Sequence, residues 1–167
     1  MKHYSIVIPI YNEAENLSQL HARLKDSLAG LSVNYEIILV DDGSTDESPA
    51  MLHQICQADE TIKVVKLSRN FGHHLAVTAG IDSAKGDIVV VMDGDLQHRP
   101  EDISALIEKV REGYDVAYAI RTGQGAPVMK RVASRVFLGV MNRVMAPGLQ
   151  MRSSLFVAMN RKVADAL

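Results

Sequence analysis

Asp93 and Asp95 close the apolar run Val89-Val90-Val91-Met92, with Gly94 between them and Leu96-Gln97 after them. Side chains two apart on extended chain point the same way, so both carboxylates can face one hard cation. Paired oxygen donors of this kind suit a divalent ion that holds a diphosphate. Gly94 permits a ligand or loop to approach the backbone closely. Asp41 and Asp42 end another apolar run, residues 36–40, and at least one of them is expected to face a cleft. The alternative for that pair is a helix cap and turn. Arg69 and Arg121 fall just past strand ends, where a guanidinium can reach a phosphate. Arg121 reads as a phosphate contact, and Arg69 equally as a brace for its own loop. His73, His74 and His98 lie on two loops without a ligand spacing, so they read as surface or packing residues rather than a metal cluster. Phe71 reads as a packing wedge.

The elements that must position these groups alternate between strand and helix. Residues 4–10 read as a continuous apolar strand stopped by Pro9 and the Tyr11-Asn12 turn. Residues 13–28 follow as an amphipathic helix with Leu17, Leu20, Leu24 and Leu28 on one stripe. Strands are predicted at 36–40, 63–67, 88–92 and 114–119, and helices at 72–84, 100–112 and 128–145. A further helix follows residue 46, with Asp46 or Ser48 as its cap and Pro49 in its first turn. Strands that are apolar throughout, separated by crossover helices, argue for a mostly parallel sheet with helices on both faces. Ligands of such α/β sheets bind beyond the carboxyl ends of the strands. Four of those ends carry the unusual residues: Pro9-Ile10-Tyr11-Asn12-Glu13, Asp41-Asp42-Gly43-Ser44, Ser68-Arg69-Asn70-Phe71-Gly72 and Asp93-Gly94-Asp95. One edge of the sheet is thereby marked as a site.

A chain of 167 residues, 47% hydrophobic and 23% charged, is sized for one globular domain with a real core. A net charge of −2 gives no nucleic-acid signature. Charge is nevertheless uneven: from Pro127 onward seven basic residues face one acid, Asp165, whereas the first sixty residues hold ten acids. The single cysteine, Cys56, excludes an internal disulfide and reads as a small apolar helix residue in a reducing compartment. Met1-Lys2-His3-Tyr4 runs straight into a strand with no signal peptide, and no window approaches the roughly 18 apolar residues of a membrane span. The chain therefore reads as soluble, or as the soluble part of something longer. The first strand lacks the Gly-x-Gly-x-x-Gly fingerprint and no Walker lysine is present, which argues against a dinucleotide oxidoreductase and a P-loop ATPase.

Val7-Ile8-Pro9-Ile10-Tyr11-Asn12-Glu13, Val40-Asp41-Asp42-Gly43-Ser44-Thr45-Asp46, Ser68-Arg69-Asn70-Phe71-Gly72-His73 and Met92-Asp93-Gly94-Asp95-Leu96-Gln97 stand in order along the chain. Together they resemble family 2 inverting glycosyltransferases of the GT-A fold, closest to the polyprenyl-phosphate sugar transferases. The resemblance implies a Rossmann-like α/β domain over residues 1–167. Residues 1–122 or so would hold the nucleotide sugar and metal, and residues 127–167 would face the acceptor and membrane. Pro9, Tyr11, Glu13, Arg69 and Gly72 would border a UDP- or GDP-linked donor, and Asp42 or Asp41 would accept hydrogen bonds from its base or ribose. Asp93, Asp95 and Gln97 would hold Mg²⁺ or Mn²⁺ against the diphosphate. The leaving nucleoside diphosphate gains negative charge as the sugar bond breaks, and a divalent ion offsets it. Asp95, Arg121 and Arg135 form the expected catalytic set.

The 128–145 stretch combines the stripe Val132, Val136, Val140 and Val144 with Lys130, Arg131, Arg135 and Arg143. It reads either as a core-facing helix or as a basic amphipathic helix lying on a bilayer. The resemblance favours the second, at the inner face of the cell membrane, with Arg131 and Arg135 one turn apart on the acceptor phosphate. In the resembling enzymes a Gly-Asp-Phe-Arg-like run precedes Arg161-Lys162-Val163; here Ser154, Leu155, Phe156 and Val157 stand in its place. A phosphate acceptor is already anionic and tolerates loss of that acid, while a sugar hydroxyl needs a base. The alternatives are therefore transfer to a saccharide hydroxyl in cell-surface glycan assembly and a nucleotide-sugar-binding module with impaired catalysis. Nucleotidyl transfer is disfavoured, because no glycine-rich basic segment follows the first strand. Many resembling enzymes also continue past the position of Leu167 into membrane-spanning helices. Homo-oligomerisation stays open.

Overall fold

The computed structural model describes residues 3–30, 33–119 and 155–167, and its contacts group Met1–Ala119 with Leu155–Leu167. Arg121, Arg131, Arg135 and the expected 128–145 helix lie outside the described residues. In chain order the elements are β1 (His3–Ile10), α1 (Ala14–Leu28), β2 (Asn34–Asp41), α2 (Ser48–Ala58), β3 (Ile62–Lys66) and α3 (His73–Ser83). There follow β4 (Ile88–Val91), a 3-10 turn (Pro100–Asp102) leading into α4 (Ile103–Arg111), β5 (Val116–Tyr118), β6 (Val157–Asn160) and α5 (Arg161–Ala164). Among the described residues no helix is long and apolar enough to cross a membrane.

β1 is apolar on both faces because both are covered. Ile6, Ile8 and Ile10 join Leu17, Leu20, Leu24 and Leu28 of α1, Leu52 of α2 and the buried face of α4 in one core. Val7, Val40 and Val91 join Ala76, Val77 and Ile81 of α3 in the other. Burial of each such leucine contributes about 2 kcal/mol. Gly80 brings α3 down onto the sheet, since a Cβ there would lie 2.3 Å from Val7 Cγ1.

The six strands lie in the order β3-β2-β1-β4-β6-β5. β1 pairs in parallel with both β2 and β4, and β2 with β3. β6 runs antiparallel between β4 and β5. The expected strand at 114–119 is thus a three-residue edge strand, and the strand beside β4 comes from the far end of the chain. Nothing in four residues, Val157-Ala158-Met159-Asn160, announces a strand locally, because its pairing partners, Val116–Tyr118 and Ile88–Val91, lie far back in the chain. The chain leaves β1 for β2 through α1 on one face and reaches β4 through α3 on the other. The crevice where the order reverses, between the carboxyl ends of β1 and β4, is where such sheets bind ligands.

Neither Asp46 nor Ser48 is the N-cap of α2, a position that Glu47 holds with no side-chain cap bond among the described residues. Asp46 Oδ1 accepts the Ser48 amide, but Asp46 Oδ2 accepts the Ala14 amide and Ser48 Oγ the Glu13 amide. The two side chains thus serve donors at the start of α1, which has no side-chain cap of its own.

At the opposite edge from the crevice, Glu36 is 4% exposed and gathers four partners. Its Oε1 accepts Ser5 Oγ at 2.7 Å and the Lys85 amide at 2.8 Å, with His3 Nε2 3.4 Å away, and its Oε2 pairs with Lys63 Nζ at 2.5 Å. Burial pushes the Glu36 carboxyl up, but Lys63, Ser5 and the Lys85 amide outweigh it and bring it down from 4.5 to about 2. A lowered carboxyl stabilises the fold fully above its unfolded value and loses that contribution as pH falls through its folded value. The contribution is no more than about 3 kcal/mol, and solvent screening at half-exposed Lys63 reduces it. Stability to urea should therefore fall from pH 6 to pH 2.5, and Glu36→Gln should flatten that fall. An unchanged pH dependence in the variant would remove Glu36 from the account.

Candidate active site

Four turns meet beyond the carboxyl ends of β1, β2, β3 and β4. The first carries Tyr11, 45% exposed, and Glu13 on either side of Asn12, which takes a left-handed φ of 54°. The second begins with Asp41 and Asp42, both buried, which the fold sorts into different jobs. Asp41 shares its strand face with Leu39; its Oδ1 accepts the Ser44 amide and its Oδ2 is buried without a partner. Asp42 shares the face of Val40, towards α3, and lies on the cleft wall. Its two oxygens accept the Phe71 amide at 2.8 Å and the Gly72 amide at 2.9 Å. An ionised carboxylate has about four acceptor positions, so Asp42 can order this loop and still accept from a ligand.

Gly43 makes that junction possible. Its φ is 68°, and a Cβ there would lie 2.4 Å from the Arg69 carbonyl carbon and 2.6 Å from the Asn70 nitrogen. The Arg69 guanidinium sits 4.8 Å over the ring of Phe71. Arg69 braces its loop in this way and is not part of the cleft wall. Phe71 is 41% exposed beneath it, not the packing wedge expected from the sequence. Gly72 and His73, where α3 begins, reach the cleft.

Asp93 and Asp95 both line the cleft, from a bend after β4 rather than from continued extended chain. The end of β1 closes on Gly94, where a Cβ would meet Ile10 Cδ1 at 2.6 Å, and Gly94 also lines the cleft. Asp95 Oδ1 accepts the Gln97 amide at 3.0 Å, and Gln97 itself is exposed outside the cleft wall. The Asp93 amide donates to His98 Nδ1 at 3.2 Å. His98 is buried and stacks on Phe156, with centroids 5.1 Å apart and planes at 24°. His98 Nδ1 also lies 3.9 Å from Asp93 Oδ2. Among the described residues Asp93 Oδ1 is buried without a hydrogen-bond partner, with His73 Nε2 3.4 Å away.

The cleft so formed has a volume of about 260 Å³. Pro9, Tyr11, Glu13, Asp42, Gly72, Asp93 and Asp95 lie on its wall, whereas Asp41, Arg69 and Gln97 do not. Sequence reasoning missed His73 and Asn70 at the wall and His98 behind it. Only the nearness of His73 and Asn70 to Gly72 hinted at the first two.

The donor set fits a divalent cation. Asp93 offers a buried oxygen with no hydrogen-bond partner among the described residues, and Asp95 a second hard oxygen on the same cleft wall. No group of three or more His, Cys, Asp or Glu side chains able to hold a metal occurs among the described residues. Mg²⁺ is usually bound through one or two carboxylates plus substrate phosphates, a number of carboxylates that Asp93 and Asp95 supply. Asp93 and Asp95 would hold the ion.

Comparison with known proteins gives this cleft its context. The chain is 44% identical over 164 residues to an uncharacterised glycosyltransferase of Synechocystis, covering 98% of this chain and 52% of that protein. It is 36% identical over 168 residues to the undecaprenyl-phosphate 4-deoxy-4-formamido-L-arabinose transferase of Klebsiella pneumoniae, covering 100% of this chain and 51% of the relative. The chain thus spans about half the length of the curated relatives it matches. In fold it is similar to glucosyl-3-phosphoglycerate synthase of Mycobacterium tuberculosis, solved with Mn²⁺, UDP and phosphoglyceric acid. That similarity has a TM-score of 0.67 at 22% identity, over 97% of this chain and 57% of the other. It shows a shared GT-A fold. Residues 5–167 match the model of glycosyl transferase family 2, and the chain belongs to that family.

Proposed function

We propose that this chain carries the donor site of a metal-dependent, inverting glycosyltransferase that moves a sugar from a nucleotide sugar to a polyprenyl phosphate at a membrane surface. The observation that carries the reading is the meeting of Asp93 and Asp95 with Tyr11, Glu13 and Asp42 in one cleft at the β1–β4 switch point. Pro9, Tyr11 and Glu13 border the nucleoside, and Asp42 accepts from base or ribose. Asp93 and Asp95 face the diphosphate. A divalent ion held by them would supply positive charge to the leaving group as the bond at the anomeric carbon breaks. Asn70, Gly72 and His73 close the wall on the phosphate side.

The acceptor reading rests on two supports. One is the named activity of the 36%-identical Klebsiella relative. The other is Leu155, which stands where the resembling enzymes carry an acid and is half-buried against the α3-side core. A phosphate oxygen is already anionic near neutral pH and needs little base help.

The test is transfer from UDP- and GDP-linked sugars, with Mn²⁺, Mg²⁺ or EDTA, to undecaprenyl phosphate and to simple sugars. Metal-dependent transfer to the lipid phosphate alone supports the reading. Transfer to sugar hydroxyls moves the acceptor to the glycan class. Metal-dependent nucleotide binding without turnover on any acceptor would make the chain a binding module.

A further inference from the structure

We infer that Asn12 is a positioning residue for the donor: its side chain locks the turn bearing Tyr11 and Glu13 onto the turn that follows Asp42. The inference rests on the nucleotide-sugar reading of the cleft and adds a residue that does not itself line it. Asn12 holds a φ of 54°, a conformation asparagine tolerates and most side chains avoid. Its amide N–H donates to Ser44 Oγ at 3.0 Å. Its Oδ1 accepts the Thr45 amide at 2.8 Å, with Thr45 Oγ1 and the Asp46 amide both at 3.4 Å. One short side chain thus gathers donors from two consecutive residues of the neighbouring turn, while its own backbone turns between two cleft-wall residues.

The rest of the junction continues the same seam. Ser48 Oγ takes the Glu13 amide and Asp46 Oδ2 the Ala14 amide, so the second turn also sets where α1 begins. Asp42, at the head of that turn, anchors the Phe71 and Gly72 amides. A shift at Asn12 therefore passes to both sides of the nucleoside: directly to Tyr11 and Glu13, and through residues 44–46 towards Asp42. These bonds are solvent-exposed and each adds little to global stability, so their loss should appear in loop placement more than in unfolding.

Three variants separate the contributions. Asn12→Gly keeps the left-handed backbone and removes the acceptor. Asn12→Asp keeps both. Asn12→Ala loses both. UDP and GDP binding with Mn²⁺ is measured by calorimetry, alongside donor KM, kcat and hydrogen exchange at residues 42–47. Asn12→Gly is expected to weaken nucleoside diphosphate binding about tenfold, the effect of losing one to two modest hydrogen bonds. Donor KM should rise in parallel, kcat should stay within about threefold, and exchange at Thr45 and Asp46 should quicken. Asn12→Asp should remain within about threefold of wild type in every readout, and Asn12→Ala should be weaker than Asn12→Gly. A merely structural role would lower Tm and leave the affinity of the folded fraction unchanged. Wild type that binds while Asn12→Gly binds equally well overturns this inference alone. Wild type that binds neither nucleotide overturns the donor reading, and this inference with it.

Discussion

Asp95→Asn should lower transfer by two to three orders of magnitude while leaving the fold intact. The change keeps side-chain volume and one carbonyl oxygen, but removes the negative charge that draws a cation to the diphosphate. Loss of one preorganised group that stabilises developing charge costs about 10²–10³ in rate. Asp95 is only half-buried, and the bond it accepts from Gln97 can be kept by an amide oxygen, so Tm should move little. Steady-state kinetics with Mn²⁺, paired with a thermal melt, measures both. A rate within tenfold of wild type would take Asp95 out of the reaction. Asp93→Asn should behave similarly in kinetics, because the main-chain bond to His98 that holds residue 93 is untouched.

Gly43→Ala should be the most disruptive single-methyl change at the site. The added Cβ would stand 2.4 Å from the Arg69 carbonyl carbon, and backbone cannot swing aside as a flexible side chain can. The φ of 68° adds conformational strain for any L side chain. The segment 69–72 must therefore move off the turn, breaking the two amides held by Asp42. We expect a loss of about 2–3 kcal/mol of stability from overpacking and strain together. We also expect tenfold or weaker nucleoside diphosphate binding, of the size that follows from losing more than one hydrogen bond. Gly113→Ala is the control: its φ is 111°, yet nothing lies within 4 Å, and it ends α4 away from the cleft wall. It should destabilise through backbone strain alone and leave nucleotide affinity unchanged. Urea denaturation and a UDP titration on both variants separate the two effects. Equal affinity in Gly43→Ala and wild type would show that the 69–72 segment does not shape the donor site.

The strand ends were legible because each apolar run is cut by residues with a local reason to stop it. β1 runs through Pro9, which was expected to stop it, and ends at Ile10 before the Tyr11-Asn12 turn; Asp41-Asp42-Gly43 end β2, and Asp93-Gly94-Asp95 follow β4. The α1 stripe was legible for the same reason: Leu17, Leu20, Leu24 and Leu28 carry their periodicity in the sequence itself, and all four are buried. What could not be read depends on long-range pairing. β6 exists as a strand because β4 and β5 flank it. Asp41 and Asp42 are equivalent in type, and only the alternation of β2 between its two helical layers decides which one reaches the cleft. His98 reads as surface or packing, and its stacking on Phe156, just before β6, decides for packing. Asp46 and Ser48 looked like a cap for the helix that follows them, yet they also take donors from the start of a helix more than thirty residues earlier.

The central claim is that Asp93 and Asp95 hold a divalent ion against a donor diphosphate in the β1–β4 cleft. A crystal structure of this chain with UDP or GDP and Mn²⁺, with anomalous scattering used to place the metal, tests it most directly. The account predicts one manganese peak bonded to Asp95, Asp93 or both and to diphosphate oxygens, with the nucleoside between Tyr11 and Asp42. A nucleotide bound in the cleft without metal, or manganese bound away from both aspartates, would contradict it.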